Sequence, residues 1–332
     1  MEKLTILFES IRYLCEKDIN RIIDFIMNIL AAATPAEDRP ACPRCGSAAI
    51  IKYGHTSTGK QRFLCKSCGE TYLHTTNTML ACSHQSRTVW MDFIRDTISG
   101  VSLDKSAVTY DFSHQTAFNM RHKILMALED WQEQNPDVLS EVAELDETFV
   151  LESYKGKKLP ENFGRGPRKH GAKASSPGIS NEFIAICSGV QRGNGAVVVK
   201  SVNRAKPSKG ELSQVFSGHI ADGSLVLTDG LRGYSVINTL ADCEVKDVNL
   251  ERQKTVFNLN TVNSLHSYIK STYEHYRGVA TKYLNRYNAL FAVTFRGMSG
   301  LAESLFQLLS NTSQRNYWHS CQELREDRLL AI

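Results

Sequence analysis

No run of about eighteen uncharged apolar residues occurs in the 332-residue sequence, so no membrane-spanning helix is expected. A secretory leader is not expected either, because Glu2, Lys3, Glu9 and Arg12 interrupt the first apolar positions. Formal net charge is only +4, which excludes reading a partner from global charge alone. No Ser/His/Asp or Cys/His constellation is present that would suggest a covalent enzyme intermediate. What is there is 42% hydrophobic and 22% charged, an ordinary globular composition with length for two or three domains. Thiols without an export signal fit a reducing, cytoplasmic setting.

The thiols are also the most specific feature. Cys42-Pro-Arg-Cys45 and Cys65-Lys-Ser-Cys68 are two Cys-x-x-Cys pairs separated by 19 residues. That spacing is a tetrahedral, all-thiolate zinc ribbon, with a short hairpin bringing the pairs together. Four thiolates fill the zinc shell and leave no position for water, so this Zn²⁺ is structural. Gly46 and Gly69 each follow the second cysteine of a pair, where the chain folds back around the metal. The other cysteines (Cys15, Cys82, Cys187, Cys243 and Cys321) are scattered singly and read as core or surface residues.

Local charge is more informative than the total. The ribbon carries Arg44, Lys52, Lys60, Arg62 and Lys66 against Glu70, and residues 151–173 carry seven cations, Lys169 among them, against Glu152 and Glu161. Two basic islands in a balanced chain suggest a polyanion tracked at separate points.

Residues 4–30 have the periodicity of a helical hairpin whose apolar stripes need a partner, and 31–40 read as a linker. Residues 86–129 look all-helical: a helix ending at Gly100, a short one over 102–110, a turn at 111–113, and a longer helix over 114–128. This layout is helix-turn-helix-like. Its Gln115, Asn119, Arg121 and Lys123 are candidate DNA contacts, although residues 81–130 carry five Lys/Arg against six Asp/Glu. From residue 141 strands alternate with helices. Strands are expected over 145–151, 183–190, 196–202, 225–228 and 245–250, with helices near 211–220, 232–240, 261–276, 279–295 and 299–311. The segment 164–180 reads as a flexible basic loop. The whole is multidomain: 1–38 helical and a possible subunit contact, 39–82 ribbon, 83–135 helix-turn-helix-like, 140–312 α/β with a mixed sheet, and 313–332 a tail.

Two acids stand at strand ends. Asp146 lies on the first α/β strand, and Asp229 directly follows an apolar strand, with Gly230 opening the turn. Such carboxylates sit rigidly at a crevice and can bridge divalent cations, of which phosphodiester chemistry uses a pair. Asn263, His266 or Ser267, and Lys270 share one helix face, a polar stripe suited to a metal-bound phosphate.

On these motifs, and on those at 113–125, 228–234, 262–270 and 276–284, the sequence resembles the zinc-ribbon DDE-type transposases of bacterial insertion sequences. The resemblance is to the group with Asn at the third catalytic position and a Lys seven residues later, and it covers about 40–295. It implies an RNase H-like catalytic domain that hydrolyses DNA at its element's terminal inverted repeats and joins the freed 3′-hydroxyl to target DNA. It implies Asp146, Asp229 and Asn263 around two Mg²⁺ or Mn²⁺ ions, Lys270 on DNA phosphate, and a homodimer or higher oligomer on DNA. His266 belongs to the same motif with its role open. A carboxamide in place of a third carboxylate predicts metal occupancy that depends on bound DNA. The rival readings are a zinc-dependent DNA-binding regulator, a transposase inactivated by Asn263 with Glu274 misplaced, and a nuclease of the same fold that does not join strands.

Overall fold

The computed structural model describes residues 41–57, 59–156, 173–175, 177–193, 195–253, 255–276, 278–295 and 301–311. The expected hairpin over 4–30, the linker 31–40, Lys169 and the tail 313–332 lie outside the described residues. Those described form two compact units, one ending at Thr76 with 86–88 attached, the other holding 77–85 and everything from Val89 on.

The first unit is a three-stranded antiparallel meander, β1 (Ile50–His55), β2 (Gln61–Cys65) and β3 (Thr71–Leu73). Its core is small, with Ile50, Phe63 and Tyr72 buried beside Cys42 and Cys65. So little apolar area cannot hold a fold alone. The turns that follow each cysteine pair supply the rest of its design. Gly46 and Gly69 have φ of +71° and +73°, and their N–H groups donate back to the Cys42 and Cys65 carbonyls.

The second unit opens with α1 (Arg87–Ile98), α2 (Leu103–Thr109) and α3 (His114–Gln134). Ser102 and Ser113 cap the latter two by accepting from Lys105 N and Thr116 N. Asp111 takes φ +56° in the turn between them. The sheet follows: β4 (Val142–Leu151), β5 (Phe183–Gln191), β6 (Val197–Arg204), α4 (Lys209–Phe216), β7 (Leu225–Thr228), a 3₁₀ helix (Arg232–Thr239) and β8 (Glu244–Asp247). Then come α5 (Asn260–His275), a 3₁₀ turn (Thr281–Tyr283), α6 (Leu284–Phe295) and α7 (Leu301–Asn311). Among the described residues no helix is long and apolar enough to cross a membrane.

Strand order is β6-β5-β4-β7-β8, with β4, β5 and β6 antiparallel and β4, β7 and β8 parallel. This is the mixed sheet expected of an RNase H-like domain. One face packs on Leu212, Phe216, Tyr234 and Ile237 from α4 and the 3₁₀ helix. The other joins a larger core with Trp90, Phe93, Ile124, Leu125, Leu265, Ile269 and Phe291. Helices α1 and α3 therefore share a core with the α/β segment, and Met79 and Leu80, placed with the ribbon by sequence, pack there too. The ribbon's small core of Ile50, Phe63 and Tyr72 does not include them, and their apolar area is buried in the larger core.

Candidate active site

In the ribbon the sulfurs converge. Cys42 Sγ and Cys68 Sγ are 3.6 Å apart, as are Cys45 Sγ and Cys65 Sγ. Four sulfurs about 2.3 Å from one tetrahedral Zn²⁺ stand about 3.8 Å from one another, so the donor set fits zinc. Burial pushes the Cys65 thiol up, but N–H groups of Cys68 and Ser67 outweigh it and bring the thiol down to about 6. Cys45 and Cys68, despite the Ser47 and Glu70 N–H groups, are raised by burial and the neighbouring sulfurs, so a cation is what would hold all four as thiolates. The thiolate is the form that binds metal.

The acids meet where the parallel pairing of β4 with β7 ends. The last β4–β7 pair is Glu144 with Leu227, and β7 ends at Thr228. β4 runs on past that point, still paired with β5, carrying Asp146 and Glu147 in mid-strand and not at the strand end expected from the sequence. Asp229 is the first residue beyond β7. Ligand oxygens of Asp146, Glu147 and Asp229 all lie within 4.8 Å of one another. Asp229 is fixed by its turn: its Oδ1 accepts from Leu231 N at 2.9 Å, and its carbonyl accepts from Asn249 Nδ2 at 2.6 Å. Gly230 has φ +81°, and a Cβ there would stand 2.1 Å from Asp247 Oδ2. Only glycine fits. That same fold of the chain ends β8 at Asp247, short of the strand expected to 250.

Helix α5 is tied to the site by a residue two positions before Asp146. Glu144 is fully buried, and its carboxylate accepts from Thr261 N at 2.8 Å, Thr261 Oγ1 at 2.9 Å and Val262 N at 3.0 Å. A carboxylate at a helix N-terminus satisfies orphan N–H groups and complements the dipole. Arg192 Nε completes the set at 2.7 Å, and its other nitrogens donate to the Val256 and Asn258 carbonyls leading into α5. Asn263, His266 and Lys270 follow along one face of that helix. His266 is 6% exposed, with its Nδ1 3.7 Å from Asp146 Oδ2, whereas Asn263, Ser267 and Lys270 are exposed. Tyr234, buried in the opposite core, donates to Glu147 Oε2 at 3.1 Å.

The electrostatics record a surplus of negative charge. Burial, then the Glu147 and Asp229 charges, push the Asp146 carboxyl up to about 7, with Lys270 acting in the other direction. Burial and Asp229 raise Glu147 as well. His266 is driven down to about 4 by burial and the Lys270 cation, so it is a neutral imidazole at physiological pH. An all-oxygen set of this charge suits a hard divalent cation, Mg²⁺ or Mn²⁺. At this site two buried polar atoms have no hydrogen-bond partner among the described residues: Ser188 Oγ, on the residue paired with Asp146 across β4 and β5, and His266 Nε2. A cluster of this kind fits a bound ion with its associated ligands.

Other expected contacts divide sharply. Arg121 and Lys123 are not surface residues. Arg121 is 1% exposed, lies over the Phe93 and Tyr276 rings, and donates to the Val101 carbonyl at 2.6 Å. Lys123 is buried with Nζ 2.7 Å from the Ala81 carbonyl, and burial lowers its pKa. Both stabilise the fold, which corrects their reading as DNA contacts. The reason is that α3 is a core helix over most of its length, buried from Met120 to Asp130. Its two ends face outward, and in the first turns Gln115 and Asn119 are bonded to each other at 3.1 Å. On the ribbon Arg44 pairs with Glu70 at 2.8 Å, while Lys52, Lys60 and Arg62 are exposed, Arg62 lying over the Tyr53 ring. Glu274, the misplaced acid of the inactivation reading, is exposed on α5 and outside the acid cluster. Sequence reasoning missed Glu147 and Glu144. The signal for both was their place in the same strand motif as Asp146.

Comparison with known proteins finds similarity to transposase-related sequences over two segments of the chain. A family model described as the ISXO2-like transposase domain matches residues 138–296, and one described as the InsA N-terminal domain, a zinc ribbon, matches 41–69. An uncharacterized protein in transposable element ISH50 of Halobacterium salinarum is 26% identical over 202 residues. The match takes in 59% of this chain and 64% of that relative's length. Among solved structures, the simian T-cell lymphotropic virus intasome in complex with PP2A regulatory subunit B56 gamma is 10% identical at a TM-score of 0.28. That match covers 60% of this chain and 66% of the other. A pre-cleavage Mos1 transpososome is 9% identical at a TM-score of 0.25, covering 70% and 80%.

Proposed function

We propose that this chain, an insertion-sequence transposase by its ISXO2-like domain and InsA-type ribbon, cuts DNA at the terminal inverted repeats of its element and joins the ends to target DNA. What supports this reading is the meeting of Asp146 and Asp229 where the parallel pairing of β4 with β7 ends, beside a helix that carries Asn263 and Lys270.

In this reading Asp146 and Asp229 hold two Mg²⁺ or Mn²⁺ ions, and the Asn263 amide oxygen completes their shell. When bound, the metal supplies Lewis-acid activation of the attacking oxygen and stabilises the leaving one. The chain's own residues do the positioning. Glu144 and Arg192 fix where α5 begins, so the polar face of that helix is set against the acids. Lys270, exposed and felt at Asp146, pairs with a DNA phosphate beside the site. In hydrolysis the water oxygen bonds to phosphorus and the bridging oxygen leaves as the element's 3′-hydroxyl. In joining, that hydroxyl oxygen bonds to a target phosphorus and displaces the target's own 3′-oxygen. The ribbon's Lys52, Lys60 and Arg62, with Arg44, follow the DNA backbone, and Gln115 and Asn119 at the outer end of α3 reach base edges. The protein works as a homodimer or larger assembly on nucleoid DNA in the cytoplasm.

Asp146→Asn or Asp229→Asn is expected to lower strand cleavage at least about 100-fold, the scale of losing one preorganised electrostatic contact. Binding to element-end DNA, followed by electrophoretic shift, stays unchanged. Equal loss of binding and cleavage would make the acids structural and refute the assignment.

A further inference from the structure

The proposed chemistry leaves a charge deficit. Asp146 and Asp229 bring two negative charges, and Asn263 brings none. We propose that Glu147 is the third carboxylate of the metal site, supplying the charge that the asparagine lacks. This inference rests on the transposase reading above.

Strand geometry argues against it at first sight. Neighbours along a strand point to opposite faces, and the register agrees: Asp146 pairs with Ser188 and Glu147 with Cys187. Asp146 stands on the face covered by α5, and Glu147 on the face that buries Cys187 and Tyr234. The end of β7 removes the conflict. Beyond Thr228 no β7 residue separates the two faces, so side chains leaving either face of β4 turn into the same gap. Their oxygens accordingly come within 4.8 Å of each other and of Asp229.

Two further contacts make the cluster more than a patch of acids. Tyr234, 1% exposed, donates its hydroxyl to Glu147 Oε2 at 3.1 Å, which holds the carboxylate in this orientation from the far core. From the other side α5 presents His266, 94% buried by its 6% exposure. Its Nε2 has no hydrogen-bond partner among the described residues, and its Nδ1 is 3.7 Å from Asp146 Oδ2, beyond hydrogen-bond reach. A buried imidazole beside the Asp146 carboxylate, bonded to no described group through Nε2 and too far from Asp146 to bond through Nδ1, leaves polar atoms at the edge of the cluster for a ligand to satisfy. The donors are oxygens at close range, the set that a Mg²⁺-sized ion takes. Occupancy then does not wait for DNA phosphate to complete the site, which reverses the expectation drawn from Asn263 alone.

The test is Mn²⁺ binding to the zinc-loaded full chain without DNA, followed by electron paramagnetic resonance, for the parent, Glu147→Gln and Asp146→Asn. Gln keeps Tyr234's acceptor and the side-chain shape, and Glu147→Asp, which restores the charge on a shorter arm, controls for folding. The parent is expected to bind Mn²⁺, Glu147→Gln to bind it at least about tenfold more weakly, and Glu147→Asp to recover part of the loss. Unchanged Mn²⁺ affinity in Glu147→Gln beside a loss in Asp146→Asn would overturn the proposal, and so would a parent that binds no Mn²⁺ until DNA is added. Failure of the transposase reading looks different: Mn²⁺ would bind as described while no variant altered DNA cleavage, because none occurred.

Discussion

Burial and two neighbouring acids hold the Asp146 carboxyl near 7, against an ordinary value of 3.8. A carboxyl raised in the folded state contributes stability below its unfolded value, and that contribution is lost as pH rises through about 7. Asp146→Asn is therefore expected to stabilise the Mg²⁺-free, zinc-loaded protein at pH 8, by an amount on the order of 2 kcal/mol. Thermal unfolding at pH 8 and pH 5 checks this, and the gain should shrink at the lower pH. His266 has the opposite sign, its contribution disappearing as pH falls through about 4, but both proteins carry it and it cancels in the difference. An absent gain at pH 8 would mean that the acids are not in electrostatic conflict. Asp229 was legible in the sequence because it directly follows an apolar strand, and Asp146 through its strand motif, although it stands in mid-strand and not at an end. Glu147 was not, since strand parity assigns it to the wrong face, and only the early stop of β7 brings it round. Arg121 and Lys123 misled in the reverse direction, as cations on a helix whose burial depends on packing remote in sequence.

Among elements, α5 depends on a single buried carboxylate. Glu144 accepts from two backbone N–H groups, one hydroxyl and Arg192. Removing a partner from such a buried pair leaves an uncompensated charge. Glu144→Ala is accordingly expected to cost about 3–5 kcal/mol. Hydrogen exchange should quicken at the Thr261 and Val262 amides while amides in β5 keep their protection. Uniform loss of protection would show that Glu144 supports the whole core and not the helix start. For α3, Arg121→Ala should lower stability by about 1–3 kcal/mol, with the DNA affinity of the folded fraction unchanged in a titration. The elements were largely legible as elements. Periodicity and the breaks at Gly100 and 111–113 marked the helices, and apolar runs marked the strands, while the caps at Ser102 and Ser113 emerged only in the structure. What alternation could not give was the partner of each face. The segment that reads as a small helix-turn-helix thus proves to be one wall of the α/β core.

For the whole molecule, the two compact units rest on different physics. The larger has the apolar area to fold by burial, whereas the ribbon has a few buried side chains and four thiols. Metal binding is folding free energy in such modules. Chelating the zinc is expected to unfold the ribbon and abolish binding to element ends while leaving the larger unit intact. Tryptophan fluorescence reads this directly: residues 41–76 contain no tryptophan, and Trp90 and Trp131 lie in the larger unit. An emission shift on chelation would show that the core depends on the zinc as well. Cysteine spacing made the ribbon's metal legible at once, because few residues and one geometry define it. The division of the rest was less so, since a change from helical to strand pattern near residue 140 marks a change of element and not of body.

Helix α3 is open to solvent at its two ends and sealed into the interior from Met120 to Asp130. A rod gripped along its middle transmits any substitution in the grip to the entire fold, while its free ends tolerate change at little cost. Selection acting on such a chain has a narrow window: as the ends of a mobile element drift, adaptation on this helix is confined to the positions from His114 to Asn119 and the last few beyond Asp130, and the middle stays frozen by the need to fold.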